Sequence, residues 1–427
     1  MEQPRFASTS GYIGGLALVI GTLCLSYLRM KNLVTLNATL SLFYIILFTF
    51  ASMIAWEYFS RTKYNKRYPK KSQIHTTSHT YLYLVKSTLY RFSALFLPFY
   101  IAYFIIHNHF YFIHNNAFAP TIKFSDYFLI IFLILGPPYI FLTLKYKNTT
   151  AYEFNDYGIL TMVFLKSIVT LIFFKKHPYA LYKNRRVKKI LLVYVVNFFF
   201  LTLMTRFFLE EFHGFEKHLH ILFSDAYTQE HWYAKARNWY FICFHLLFII
   251  DIGIAIIGYS FASRWLDNRT KSVDMTASGW FVALFCYPPF NQLISNNFIY
   301  YHSLPTHEII TSQVAWSVIF VLLLLAYSLY VWATMAFGFK FSNLTNRGII
   351  SHGPYKYVRH PAYISKNFAW FIDTTYVLTN MWASIAFFTW SSIYVLRALT
   401  EERHLNSDKA YLAYKKQVPY RFIPKII

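Results

Sequence analysis

Long apolar windows alternate with short polar interruptions along the whole chain, and most windows have the length a helix needs to cross a bilayer. At 1.5 Å of rise per residue, about 20 apolar residues cover roughly 30 Å of hydrocarbon. Such windows fall at 11–29, 33–56, 88–107, 126–145, 190–209, 239–262, 279–298 and 312–336, then as a close pair at 363–379 and 381–399. The pattern predicts an all-α, polytopic integral membrane protein with about ten transmembrane helices. A further window, Gly158 to Phe174, carries Lys166 and runs into basic residues. It is expected to be re-entrant or interfacial, because a crossing there would put the two basic runs described below on opposite sides.

Composition agrees with this class. Hydrophobic residues make up 56% of the 427 and charged ones only 14%, which is too apolar for a soluble chain of this size. Aromatic residues reach 22%, with 37 Tyr and 45 Phe, a usage suited to side chains that have an apolar body and a wettable end at the lipid boundary. The first apolar segment, up to Leu28, has no convincing cleavage site before or after it and reads as a span rather than a signal peptide.

The formal charge of +23 would suit a nucleic-acid binder, but its distribution points elsewhere. Arg61, Lys63, Lys66, Arg67, Lys70 and Lys71 form one run, and Lys175, Lys176, Lys183, Arg185, Arg186, Lys188 and Lys189 a second, each beside an apolar segment. Runs so placed set topology and meet anionic lipid headgroups; neither sits in a soluble module that would hold nucleic acid. With 158–174 kept out of the count, both termini, both runs, the Arg264/Arg269/Lys271 loop and the stretch discussed next all fall on the cytoplasmic side. Glu210 and Glu211 fall outside. Cys24, Cys243 and Cys286 each lie within an apolar stretch and are expected to be buried packing residues, not a disulfide framework.

One stretch breaks the oily pattern: "GPYKYVRHPAYISKN", Gly353 to Asn367, which carries Lys356, Arg359, His360 and Lys366. The two apolar segments after its start are short and separated only by Asn380, so they form a tight antiparallel hairpin that returns the chain to the face it left. Arg359 and His360 are thereby brought beside Glu401 and Glu402, with Tyr355, Tyr357, Tyr363 and Tyr411 around them and Arg421 in "VPYRFIP" following. Such a set suits a zwitterion: a guanidinium for a carboxylate, a carboxylate for an ammonium, and an aromatic face for a sulfonium or flat heterocycle. S-adenosylmethionine has all three features. Anchoring alone, by charged residues snorkelling at span ends, would leave the Gly-Pro, Arg-His-Pro and Glu-Glu groups unexplained.

These residues carry a resemblance. "FSNLTNRGIISHGPYKYVRHPAY", the "EERHL" after the hairpin and the closing "YLAYKKQVPYRFIP" resemble the isoprenylcysteine carboxyl methyltransferases and related phospholipid methyltransferases over roughly Phe337 to Ile427. Of the family pattern Arg-His-Pro-x-Tyr-x-Gly, Arg359, His360, Pro361 and Tyr363 match, and Ser365 replaces the glycine, where it would crowd a bound cofactor. The resemblance implies S-adenosylmethionine as cofactor and a lipid or isoprenoid-linked acceptor, methylated on a carboxyl oxygen or an amine. It implies Arg359, His360 and Glu401 as catalytic residues, His360 being a positioning group before a base. The cofactor set it implies is Gly353, Tyr355, Arg359, His360, Pro361, Tyr363, Glu401, Glu402 and Arg421. The sterol reductases are also similar in hairpin, closing sequence and span number, and would imply NADPH; a 2′-phosphate would favour more basic residues than a glutamate pair. A chain that keeps the fold to bind a partner without chemistry is the third reading.

The division expected is therefore 1–336, an N-terminal multi-span region of unknown role, and 337–427, a methyltransferase-like core. Within the former, "CYPPFNQLISNN" interrupts a span at Pro288 and Pro289 and supplies Asn291, Gln292, Asn296 and Asn297, a candidate lateral groove for a lipid substrate or equally a kinked helix with amide contacts. His213, His218, His220 and His231, with Glu210, Glu211, Glu216 and Asp225, fall in one expected outer loop; their spacing matches no metal motif and no metal is expected.

Overall fold

The computed structural model of the chain describes residues 6–67, 80–146, 157–174, 185–292, 310–373 and 381–426. Most described residues are helical. The principal helices are α1 (Ser10–Met30), α2 (Ala38–Arg67), α3 (Tyr81–Asn108), α4 (Ala119–Tyr146), α5 (Tyr157–Phe174), α6 (Arg185–Leu222), α7 (Trp232–Ser260), α8 (Ala277–Leu284), α9 (Gln313–Phe337), α10 (Pro361–Asp373), α11 (Met381–Leu405) and α12 (Lys409–Gln417). Two short strands, β1 (Ser272–Val273) and β2 (Thr345–Asn346), pair antiparallel, with Ser272 opposite Asn346.

Seven of these helices, α1 to α4, α6, α7 and α9, are long and apolar enough to cross a membrane. The expectation of about ten is met by seven among the described residues. The segment 279–298 does not form a continuous span over its described part: α8 ends at Leu284, and Pro288 and Pro289 sit in a turn. Helix α10 is described to Asp373, short of the expected 379, and the hairpin's tip at Asn380 lies outside the described residues. Helix α5 forms over 18 residues, and its Tyr157 hydroxyl accepts from the Thr270 amide at 3.0 Å.

The core lies between α6, α7 and α1. Phe200, Phe208, Phe212 and Phe215 of α6 pack against Ile249, Ile254, Ile256 and Ile257 of α7, with Leu18 of α1 and Met53 of α2 in the same cluster. Because lipid is as apolar as these side chains, close fit rather than expulsion from water holds such helices together. Small residues set the fit: a Cβ on Gly11 would come within 1.9 Å of the Met335 carbonyl oxygen, so α1 and α9 approach backbone to backbone there.

Helix α6 is much longer than the 190–209 window. It runs on through Phe212, Phe215 and Leu219, buried at helical spacing, and its three glutamates are paired. Glu211 meets His245 of α7 at 2.7 Å, Glu216 meets Arg29 of α1 at 2.8 Å, and Glu210 pairs with Arg206 along the helix. The expected outer loop of histidines and acids is thus largely helix: His213, His218 and His220 are on α6, and His231 caps α7. Cys24 and Cys243 are exposed on the outer surfaces of α1 and α7 and Cys286 is half-buried, which corrects the expectation of buried packing residues.

At the opposite face from Glu216, several chain segments converge. Ser8 donates to Glu57 at 2.5 Å, Arg61 donates to the Leu266 carbonyl at 2.9 Å, and Lys340 faces Asp267 at 3.7 Å. Asn268, fully buried, donates to the carbonyls of Phe261 and Phe339 and accepts from the Ser263 amide. The start of α1, the end of α2, the turn after α7 and the segment after α9 therefore share one face, and the polar stretch beginning at Gly353 joins them.

Candidate functional site

Pro361 starts α10 in the position where its missing N–H costs nothing, and the residue pair before it is tied to the C-terminal tail. The Arg359 amide donates to the Tyr420 carbonyl and the His360 amide to the Arg421 carbonyl, both at 2.9 Å. Returning along α11, Glu401 and Glu402 arrive beside them, as the hairpin argument requires.

The two glutamates have different surroundings. Glu402 is the centre of an ionic knot: Arg359 Nε lies 2.8 Å and His360 Nε2 3.2 Å from Oε1, while Arg421 lies 3.2 Å and Lys415 3.8 Å from Oε2. The side chains of Arg359 and Glu402 are only 4% and 3% exposed. Arg359 Nη1 also donates to the carbonyls of Val418 and Pro419, at 2.9 and 2.5 Å. Burial pushes the Glu402 carboxyl up, but the hydrogen bonds from His360 and Arg359 outweigh it and hold the group at about 2. A carboxyl so depressed contributes stability above its unfolded value of 4.5, and loses it as pH falls toward 2. The ionised carboxyl therefore stabilises the fold at neutral pH, and acidification removes that contribution. Thermal unfolding in detergent at pH 6 and at pH 3 should show that loss, and Glu402→Gln should flatten the difference.

Glu401 is half-buried and lines a cleft. It accepts from the Tyr363 hydroxyl at 2.8 Å. One helical turn earlier Arg397, buried to 8% exposure, donates to Asn343 Oδ1 at 2.5 Å and lies over the rings of Tyr287 and Tyr363 at 5.6 and 5.3 Å. Tyr363 thus touches a guanidinium with its face and a carboxylate with its hydroxyl. The His360 ring lies parallel to that of Tyr363, with 5.4 Å between centroids.

Of the residues singled out in the sequence, Tyr355, Arg359, His360, Tyr363, Glu401 and Tyr411 line this cleft. Gly353, Pro361, Glu402 and Arg421 support it from behind. Gly353 has φ +62°, and a Cβ there would come within 2.7 Å of the Tyr12 hydroxyl of α1, so the glycine serves a turn and a close approach. Arg359, expected as a catalytic and cofactor-binding residue, is buried and held by Glu402 and by the Val418 and Pro419 carbonyls, so its structural duty is to tie the tail to the hairpin. Ser365, expected to crowd the cleft, is buried in α10 and turns its hydroxyl onto the carbonyls of Pro361 and Ala362. Pro288, Pro289 and Asn291 do not line the cleft, and Asn296 and Asn297 lie outside the described residues. Lys366 of the opening stretch points into the bundle, over the rings of Tyr330 and Trp370.

Sequence reasoning missed Asp274, Lys340, Asn343, Arg347, Arg397 and His404, all of which line the cleft. It also missed Asp251 of α7, which accepts from Tyr330 at 2.8 Å and Thr334 at 2.5 Å and is within electrostatic reach of Lys366. Arg397 and Asp251 did leave a signal: each is a lone charge inside an apolar window, a place where ionisable residues are kept only for a partner or a function.

The seven apolar helices among the described residues indicate a polytopic integral membrane protein, and a polar cleft lies where α10 begins and α11 ends. Most residues lining the cleft fall within one region of the sequence, with Asp274, Gly279, Ala283, Tyr411 and Tyr414 added from outside it. Residues 313–407, less than a quarter of the chain, match the model of the Isoprenylcysteine carboxyl methyltransferase (ICMT) family, a family of membrane methyltransferases. No curated protein and no solved structure matches the chain.

Proposed function

We propose that the protein is an S-adenosylmethionine-dependent methyltransferase that esterifies a carboxylate borne on a lipid or isoprenoid-linked acceptor. The observation that carries this reading is the Arg397–Tyr363–Glu401 group, in which a cation and an anion are held about one helical turn apart on one wall of the cleft. An amino-acid zwitterion needs that arrangement, since its ammonium and carboxylate hang from one carbon. Glu401 would receive the ammonium and Arg397 the carboxylate, while Tyr355, Tyr411 and Tyr414 would offer ring faces to the sulfonium and the heterocycle. Arg359 and His360 are positioning residues in this scheme, because Glu402 and the tail already engage them.

Charge favours a carboxylate acceptor over an amine. With Arg359 and Glu402 neutralising one another, and Lys340 and Asp274 facing Asp267 and Arg403, the lining retains Arg347 and Arg397 against Glu401. A cationic acceptor would add to that surplus and an anionic one would cancel it. The cofactor, when bound, supplies an electrophilic methyl group on a sulfonium, so a carboxylate needs no base to attack it and the opposite charges disappear together. What the chain contributes is alignment of the two reactants and exclusion of water.

We place the cleft at the cytoplasmic face, on the side of the basic ends of α2 and α6, where anionic headgroups would meet Arg61 and Lys63 and Arg185 and Arg186. The test is titration calorimetry of the detergent-purified protein with S-adenosylhomocysteine and, separately, NADPH. Saturable binding of the former alone is expected. Binding of NADPH alone would replace the reading by reduction of a lipid double bond, and binding of neither would leave a fold retained for a partner.

A further inference from the structure

Three buried arginines line the cleft: Glu402 and the tail hold Arg359, Arg397 has its place in the reading above, and Arg347 has none yet. Arg347 follows β2 and is 2% exposed. Both groups that hold it come from the N-terminal spans: it donates to the Gly258 carbonyl of α7 and, at 3.2 Å, to Asn197 Oδ1 of α6. Neither is charged, and Arg347 Nε has no acceptor among the described residues. Next to it Gly348, at φ +124°, lies against Lys340, where a Cβ would come to 3.1 Å from Nζ. The partner of Lys340 is the largely exposed Asp267, at the long separation of 3.7 Å.

A guanidinium buried without a counter-charge is costly, and held by neutral groups with one donor left over it is suited to complete its shell with an anion. The anion is not the cofactor's carboxylate if Glu401 takes the ammonium, because the two groups share one carbon and Arg397 stands beside Glu401. The cleft's other reactant remains.

We propose that Arg347 recognises the anionic group of the acceptor, and that Asn197 and the Gly258 carbonyl hold it for that purpose, which makes α6 and α7 part of the acceptor site. This rests on the methyltransferase reading. It gives the N-terminal spans a definite role in choosing a lipid-borne carboxylate.

The experiment compares N-acetyl-S-farnesylcysteine with its carboxamide, and S-adenosylhomocysteine separately, by equilibrium binding to purified wild type, Arg347→Gln and Asn197→Ala. Wild type should prefer the acid by about tenfold or more, Arg347→Gln should bind acid and amide alike, and Asn197→Ala should fall between, with S-adenosylhomocysteine affinity kept within about threefold. A merely structural Arg347 would weaken all three ligands together. Acid preference that survives in both variants overturns the proposal, as does a wild type with no acid preference. Loss of S-adenosylhomocysteine binding in Arg347→Gln also overturns it, by making Arg347 a cofactor group. Failure of wild type to bind S-adenosylhomocysteine removes the methyltransferase reading itself. Asn197→Ala keeps the guanidinium and removes one holder, so the ratio is readable even where Arg347→Gln does not fold.

Discussion

Glu401→Gln is expected to weaken S-adenosylhomocysteine binding by about 100-fold, the loss that follows from removing a charged hydrogen-bond partner in a water-poor cleft. Glutamine keeps an oxygen for the Tyr363 hydroxyl, so the local hydrogen bond at 2.8 Å can persist and thermal unfolding should not move. 5′-Methylthioadenosine, which lacks the amino-acid end, should bind wild type and variant alike. Calorimetry with the two ligands therefore separates a lost ammonium contact from a damaged site. Equal losses for both ligands, or none, would mean that Glu401 is not the ammonium's partner.

The second large effect concerns Glu402, whose duty is to the fold. Glu402→Ala removes the shared partner of Arg359, His360, Lys415 and Arg421 and leaves Arg359 charged in a site only 4% exposed. Breaking one side of a buried pair in this way costs about 3–5 kcal/mol. The expected results are a lowered unfolding temperature and faster proteolysis of the tail around Val418 to Arg421, whose carbonyls anchor to Arg359 and His360. Arg359→Met combined with Glu402→Leu should recover much of that stability, because it removes both charges together. A Glu402→Ala protein as stable as wild type would show that the knot is dispensable.

How much of this was legible in the sequence depends on where partners lie along the chain. The meeting of Arg359 and His360 with Glu401 and Glu402 follows from helical rise and a short turn, so it could be read directly. Which glutamate serves the fold and which faces the cleft could not, because adjacent helical residues differ only by rotation about the axis and the tail decides which side is covered. Arg359 was assigned to a ligand for the same reason: its acceptors at Val418 and Pro419 are carbonyls, which no side-chain pattern announces. The length of α6 was underestimated because Glu210, Glu211 and Glu216 look like a loop until Arg206, His245 and Arg29 are seen opposite them. Arg347 was invisible, since its holders Asn197 and Gly258 are 150 and 89 residues away.

Those distant holders, together with Asp251 reaching Tyr330 and Thr334, have a consequence for ancestry. A segment recognised as a family unit in sequence is here stitched into the spans that precede it by buried polar contacts, each needing both halves. Recombination that joined these spans to another hairpin would strand a guanidinium and a carboxylate in the interior. The two stretches should therefore have been inherited and altered together, with changes at Asn197 or Asp251 matched by changes at Arg347, Tyr330 or Lys366.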